Sequence, residues 1–233
     1  MKHAVVTGAY QGLGKLIAAR LALNGYTVHR WDLKGDAHVD VTSKSSVALA
    51  AERLQAVTPH VDVLVNCAGY NQIKPIPELD AYTWDHHMNV NARGMLFTVQ
   101  ALLENLSAGG TVCNIISNAS HLPMRYSIAY NASKAAAAHM TRQMARELFG
   151  THKVTVFGVS PNRLRDTPMS ANFDKACAEV RGWTAEETAR RQLEVMPIGE
   201  ETDPLAVAEF IGFLLSTKER HRYLHGAIME YGT

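Results

Sequence analysis

Tyr130 and Lys134 stand four residues apart in the stretch "YNASK". On a helix that spacing puts both side chains on one face. A neighbouring ammonium stabilises a phenolate, so the pair predicts a tyrosine with a lowered pKa that can give and take a proton near neutrality. Chance Tyr–Lys pairs are common, with the Tyr half-buried and the Lys solvated. Ser117 lifts this pair above that reading. It follows the apolar run Thr111–Ile116 and so ends a strand, where sites gather in open α/β sheets. A hydroxyl there can hydrogen-bond a substrate oxygen.

A second constellation opens the chain. "TGAYQGLG", Thr7 to Gly14, lies between the apolar run His3–Thr7 and a helical run from Leu13 to Leu23. Strand, glycine turn and helix form the context in which backbone N–H groups and a helix N-terminus face an anion. Gly8 allows the sharp exit from the strand. Gly12 lets the backbone approach a pyrophosphate, and Gly14 lets the helix pack on the sheet. A plain structural turn would use the same glycines, but Asp32, at the end of the next strand, argues for a dinucleotide. Its carboxylate can accept hydrogen bonds from ribose hydroxyls and would repel a 2′-phosphate. Gln11 brings no cation to this turn, whereas Arg30 and Lys34 lie near Asp32. The balance favours NAD, with NADP the alternative.

Along the chain, short β-branched runs alternate with helical patterns. Strands are expected at His3–Thr7, Thr27–Trp31, His38–Val41, Val61–Asn66, Thr111–Ile116, Val154–Val159 and Ala227–Glu230. Leu13, Leu16, Ile17, Arg20 and Leu21 follow helical spacing and Gly25 is a stop. Asp203-Pro204 reads as an N-cap with proline at the first helical position. The alternation predicts an α/β fold: one Rossmann-like, doubly wound domain over 1–233, with a seven-stranded parallel sheet and helices on both faces. Residues 160–202, charged and carrying Trp183, read as a lid with short helices.

Bulk composition bounds the function. The chain has 233 residues, 47% of them hydrophobic, with 23 basic and 22 acidic residues and a net charge of +1. No charged block points to nucleic acid or a membrane surface. Three scattered cysteines suit reduced thiols. The few residues before Gly8 are too short for a secretory core, and a cytoplasmic protein is expected. His86-His87 and the pair His221 and His225 lack the further donors that a zinc site needs, so no metal is expected.

Together these motifs resemble the classical short-chain dehydrogenase/reductase family over essentially the whole chain. "TGAYQGLG" resembles the family's T-G-x-x-x-G-x-G, and Asp40-Val41 the pair bordering the adenine. "NCAG" at 66–69 differs from N-N-A-G only at its second residue. "NVNARG" carries Asn91 at the family's active-site asparagine. Ser117 precedes Tyr130 by thirteen residues, and "YNASK" matches Y-x-x-x-K. The resemblance implies hydride transfer between a nicotinamide and a secondary alcohol or ketone. Tyr130 would be the general acid and base. Lys134 would lower its pKa and hold the ribose, Ser117 would polarise the carbonyl, and Asn91 would anchor a water in a proton relay. Cofactor contacts would come from Gly8, Tyr10, Gln11, Gly12, Leu13 and Gly14 in the turn, and from Asp32, Asp40 and Val41 around the adenosine. Asn66, Ala68, Gly69, Tyr130, Lys134, Pro161 and Thr167 would complete the set.

The loop "SPNRLRDTPM" departs from the family's P-G and threonine, with Asn162 in place of glycine and one extra residue before Thr167. At the C-terminus His225 replaces the family's threonine. Family subunits often pair through the tyrosine helix, which implies a homodimer or homotetramer. For a small alcohol or ketone substrate, the residues that could face the pocket are Asn71, His121, Met124, Tyr126, Asn162, Arg163 and Trp183. Arg163 and Arg165 hint at an acidic substrate or acyl-carrier partner, or are solvated loop charges. Two alternatives remain: an NADPH-dependent 3-ketoacyl reductase of fatty-acid or polyketide type, and a non-catalytic nicotinamide-nucleotide sensor that binds a protein partner.

Overall fold

Apolar side chains alternate along each strand, and the alternation sorts them onto the two faces of one sheet. The computed structural model describes residues 1–35, 37–196, 198–216 and 221–232. Strands β1 (Lys2–Thr7), β2 (Tyr26–Trp31), β3 (Val61–Asn66), β4 (Leu106–Ile115), β5 (Thr155–Pro161) and β6 (Ile228–Tyr231) pair in the order β2-β1-β3-β4-β5-β6. Every pairing is parallel. On one face Ala4, Val6, Val63, Val65, Phe157 and Val159 pack under α1 (Gly12–Leu23) and α8 (Pro204–Leu214). On the other Val5, Leu64, Val112 and Val156 meet α2 (Lys44–Val57), α4 (Gly94–Leu102) and α5 (Ile128–His152). Between α2 and α5 the chain also forms α3 (Ala81–Met88), which a π-turn at Asn89–Arg93 joins to α4. The layers are those of a doubly wound fold.

Among the described residues the sheet has six strands rather than the expected seven. The expected strand His38–Val41 is a turn. His38 has a φ of 32°, and Asp40 Oδ1 accepts from the Thr42 N–H and hydroxyl, both at 2.8 Å. Val39 and Val41 are buried, which produces the alternation of a strand without a ladder. Local side-chain bonding took the backbone that pairing would have used. β4 begins five residues earlier than expected.

Several local signals act as written. Asn24 caps α1 and Gly25 follows at φ +84°. Asp203 accepts from the Leu205 N–H at 2.8 Å, opening α8 with Pro204 in its first turn. Among the described residues no helix is long and apolar enough to cross a membrane.

Between β5 and α8 the chain makes an excursion through α6 (Pro168–Arg181) and α7 (Ala185–Glu194); Pro197 within it lies outside the described residues. It leaves and returns at one point, where Leu164 bridges to Thr202. Arg165 N–H donates to Thr202 O (3.0 Å) and Thr202 N–H to Arg163 O (2.9 Å).

Candidate active site

The order β2-β1-β3 reverses the chain's direction of travel at β1, which opens a crevice beyond the carboxyl ends of β1 and β3. Thr7 at the end of β1 ties its floor, its hydroxyl accepting from the N–H groups of Cys67 and Ala68, both at 3.0 Å. α1 begins at Gly12, so its free N–H groups face the crevice.

The glycine turn passes a test of space. A Cβ on Gly14 would stand 2.2 Å from the Gly8 carbonyl oxygen, so only glycine lets α1 start this close to the strand. A Cβ on Gly12 would meet nothing nearer than 3.9 Å, although its φ is +49°. The room above Gly12 is what a pyrophosphate needs. A nicotinamide dinucleotide therefore fits the residues present.

A cleft of about 680 Å³ runs from this turn to the ends of β4 and β5 and under α6–α7. Of the residues singled out by sequence, Gly8, Gln11, Gly12, Leu13, Gly14, Gly69, Ser117, Tyr130, Lys134, Pro161 and Thr167 line it, as do Asn71, Met124, Asn162, Arg163 and Trp183. Tyr126 and His121 face the adjoining apolar groove. Tyr10, Asp32, Asp40, Val41, Asn66, Ala68 and Asn91 stand behind or beside the cleft. Asp32 accepts from the N–H groups of Tyr10 (3.0 Å) and Lys34 (2.9 Å), and Lys34 Nζ donates to Gln11 Oε1 at 2.9 Å. Val41 packs where a Gly94 side chain would be. Asn66 belongs to a buried chain, donating to Asn114 Oδ1 (2.9 Å) and accepting from Thr98 (2.7 Å).

Ser117 follows β4 and Tyr130 and Lys134 project from the first turns of α5, so two elements bring the set together. Lys134 is buried, and Nζ donates to the Ile115 carbonyl at 3.0 Å. Desolvation pushes its pKa down to about 8. The Tyr130 phenol moves opposite to expectation: burial raises it, and the Ser117 hydroxyl offsets part of the rise. Lys134 Nζ lies 6.0 Å from the Tyr130 ring centroid, and its charge is itself weakened by burial. Asn91 sits in the π-turn, a feature frequent at functional sites. Its Oδ1 accepts from Tyr70 N–H (2.8 Å), and Nδ2 donates to Tyr70 O (2.8 Å) and Ser133 Oγ (2.9 Å). His87 lies behind Tyr130. It is held by the Gln72 N–H donating to Nε2 (3.0 Å) and by Thr83 O 2.7 Å from Nδ1, and burial lowers its pKa.

Cys67 also lines the cleft, but burial pushes its thiol up to about 12, so it carries no thiolate chemistry. Asn118, Phe173, Arg181, Arg191 and Gln192 also line the cleft. None was singled out by sequence. Only adjacency to Ser117 could have pointed to Asn118, and the α6–α7 residues carry no motif.

A family model described as short chain dehydrogenase matches residues 36–178, more than half of the chain. The chain belongs to the short-chain dehydrogenase family. As such it is an oxidoreductase of the CH–OH class. It is similar to the NAD-dependent glycerol dehydrogenase of Listeria innocua serovar 6a, with 31% identity over 69% of this chain and 69% of the relative. It is also similar to the cis-4-hydroxycyclohexanecarboxylate dehydrogenase of Sinomonas cyclohexanicum, with 32% identity over 97% of this chain and 93% of the relative. Among solved structures, a point variant of actinorhodin polyketide ketoreductase with NADPH superposes with a TM-score of 0.88. That match has 25% identity and covers 98% of this chain and 95% of the other.

Proposed function

We propose that this short-chain dehydrogenase interconverts a secondary alcohol and a ketone, with Tyr130 exchanging the proton and NAD as the preferred cofactor. The convergence of Ser117, Tyr130 and Lys134 on a cleft that begins at the glycine turn carries the reading. When bound along that turn, a nicotinamide dinucleotide supplies the two-electron acceptor or donor. Gly12 and the N-terminus of α1 would hold its pyrophosphate, and Asp32 the ribose hydroxyls. In reduction the Tyr130 phenol gives its proton to the carbonyl oxygen while the Ser117 hydroxyl hydrogen-bonds that oxygen. In oxidation Tyr130 takes the alcohol proton. Lys134 stays cationic below about pH 8; as an ammonium it would hold ribose hydroxyls and favour the phenolate. Asn91, through Tyr70 and Ser133, is read as a positioning residue, and Pro161 and Thr167 would border the nicotinamide. The α6–α7 excursion would act as the lid. A homodimer or homotetramer through the outer face of α5 belongs to the same reading.

A second reading, an NADPH-dependent ketoacyl reductase, is favoured by Lys34 and Arg30 beside Asp32. Arg30 already lies over the Tyr10 ring, 5.9 Å from its centroid, and could swing to a phosphate. The test is steady-state oxidation of a panel of secondary alcohols, and reduction of the ketones, with each cofactor. Turnover favouring NAD supports the first reading, and turnover favouring NADP the second. Cofactor binding without turnover of any substrate returns the non-catalytic sensor.

A further inference from the structure

The lining of the cleft carries more positive charge than its own carboxylates neutralise. Arg125, Arg163, Arg181 and Arg191 line the cleft against a single carboxylate, Glu194. Arg163 is taken by Asp174 and Glu201. Glu194 is taken by Arg190 at 2.6 Å. Among the described residues no carboxylate lies within ion-pair distance of Arg125, Arg181 or Arg191.

Ring faces hold these three cations instead. The Arg125 guanidinium lies 4.8 Å from the Tyr126 centroid, and that of Arg181 5.9 Å from Tyr126 and 4.6 Å from Trp183. Arg191 covers Trp183 at 4.6 Å. The series Arg125–Tyr126–Arg181–Trp183–Arg191 thus stacks from the loop after β4 to α7. Local chemistry sets it up: Arg181 ends α6, Gly182 turns left-handed at φ +66°, and the Trp183 N–H returns to the Ala178 carbonyl at 3.1 Å.

Stacking uses the flat face of a guanidinium and leaves its in-plane N–H groups for an acceptor. Arg181 Nε is buried and has none. A buried donor on a charged group is costly to leave without an acceptor. Asn71 Oδ1 and Asn118 Nδ2, on two other residues of the same lining, are also buried without a partner. The cleft therefore has buried polar atoms matched to a polar ligand, and its unneutralised charge is of one sign.

We propose that the end of the substrate remote from its reacting carbon carries an anion, a carboxylate or a phosphate, bound in the plane of the Arg181 guanidinium with Arg125 and Arg191 adding charge. The inference rests on the reading of the cleft as a site of alcohol–ketone interconversion. That reading puts the reacting carbon beside Ser117 and Tyr130 and the remote end beneath α6–α7.

The test uses matched probes at fixed ionic strength with saturating NAD: cis-4-hydroxycyclohexanecarboxylate against its primary amide, and glycerol 3-phosphate against glycerol. The anionic member of at least one pair is expected to exceed its neutral partner in kcat/KM by about 10- to 100-fold, the worth of one or two charge-assisted hydrogen bonds, mainly through KM. The pair that responds separates carboxylate from phosphate. Arg181→Gln should bring the ratio toward unity, and Arg181→Lys should restore part of it, since charge remains but the planar fork is lost. Arg191→Gln, on the outer side of the stack, should lower the ratio by a smaller factor and serves if the Arg181 variants do not fold. Equal kcat/KM within both pairs overturns the proposal. If no alcohol is oxidised, the hydride reading fails, and calorimetric titration of the cofactor complex with cyclohexanecarboxylate and inorganic phosphate decides the anion site. Binding lost in Arg181→Gln upholds it, and no binding at millimolar concentration overturns it.

Discussion

Ser117 directly follows β4, and Tyr130 and Lys134 stand on α5; both elements are tied into the core by buried amide and hydroxyl bonds. Arg181, Trp183 and Arg191 stand on an excursion that is held at its base by Arg163 and Arg165 and over the cleft by ring faces. The floor is fixed by interactions that water cannot replace, so it can hold a proton donor within hydrogen-bonding range of a substrate atom. The roof rests on contacts worth about 0.5–2 kcal/mol each, so it can open and re-form at little cost. One half of the site is built for position and the other for exchange.

The sharpest break of that comparison is Tyr130→Phe. Removing the floor's proton donor should lower kcat by about 10²- to 10⁴-fold, with cofactor affinity and melting temperature held, because a buried hydroxyl is replaced by hydrogen without a change of shape. An unchanged kcat would show that the floor does not carry the chemistry. Next, Gly14→Ala forces a Cβ against the Gly8 carbonyl and should cost about 3 kcal/mol or more in a urea melt. Gly12→Ala meets only the positive φ and should cost about 1 kcal/mol. Equal losses would mean that the turn is not packed as described.

Lys134 sharpens the comparison through pH. Its folded pKa of about 8 lies below the ordinary 10.5, so between those values this group binds more protons in the unfolded chain and its own contribution to stability rises with pH. The rise should approach 3 kcal/mol on the order-of-magnitude scale of such shifts, and should vanish in Lys134→Met. Denaturant melts at pH 7, 9 and 10.5 read it. Burial of the Cys67 and Cys113 thiols makes stability fall with pH over the same range. The readout is therefore the difference between the parent and Lys134→Met, and identical profiles would place Lys134 in water rather than under the sheet. The roof should lose less than Gly14→Ala costs the floor. Arg163→Gln leaves Asp174 and Glu201 facing each other and should lower stability by about 1–3 kcal/mol. Arg165→Gln, which breaks a more exposed pair with Asp203, should cost under about 1 kcal/mol. Limited proteolysis within 164–202 should quicken more in the first variant.

What could be read from sequence follows the same division. The glycine turn, Ser117, Tyr130 and Lys134 were legible because each answers a local demand: a backbone that must pass close, a strand end, one helix face. His38–Val41 misled because Val39 and Val41 are buried in alternation while Asp40 folds the backbone into a turn. The pairing of the arginines was out of reach. Arg163 and Arg165 looked available for an acidic substrate, but Glu201 and Asp203, close to forty residues on, take them up. Arg181 carries no motif, and its lack of a carboxylate is a property of the folded neighbourhood. The Tyr130 pKa failed likewise: proximity to a lysine is visible in a sequence, and the burial that outweighs it is not.

The bonds linking Asn66 to Thr98 and Asn114, and Asn114 to Thr141, span 32, 48 and 27 residues of chain. They join β3, α4, β4 and α5, and none can close until its two elements have met. The helix that bears Tyr130 is therefore seated only when the central sheet is complete. Because such distant pairings carry a large loop-closure cost before they repay it, a refolding chain should recover helical circular dichroism well before it recovers turnover. A partly folded form then has no competent site.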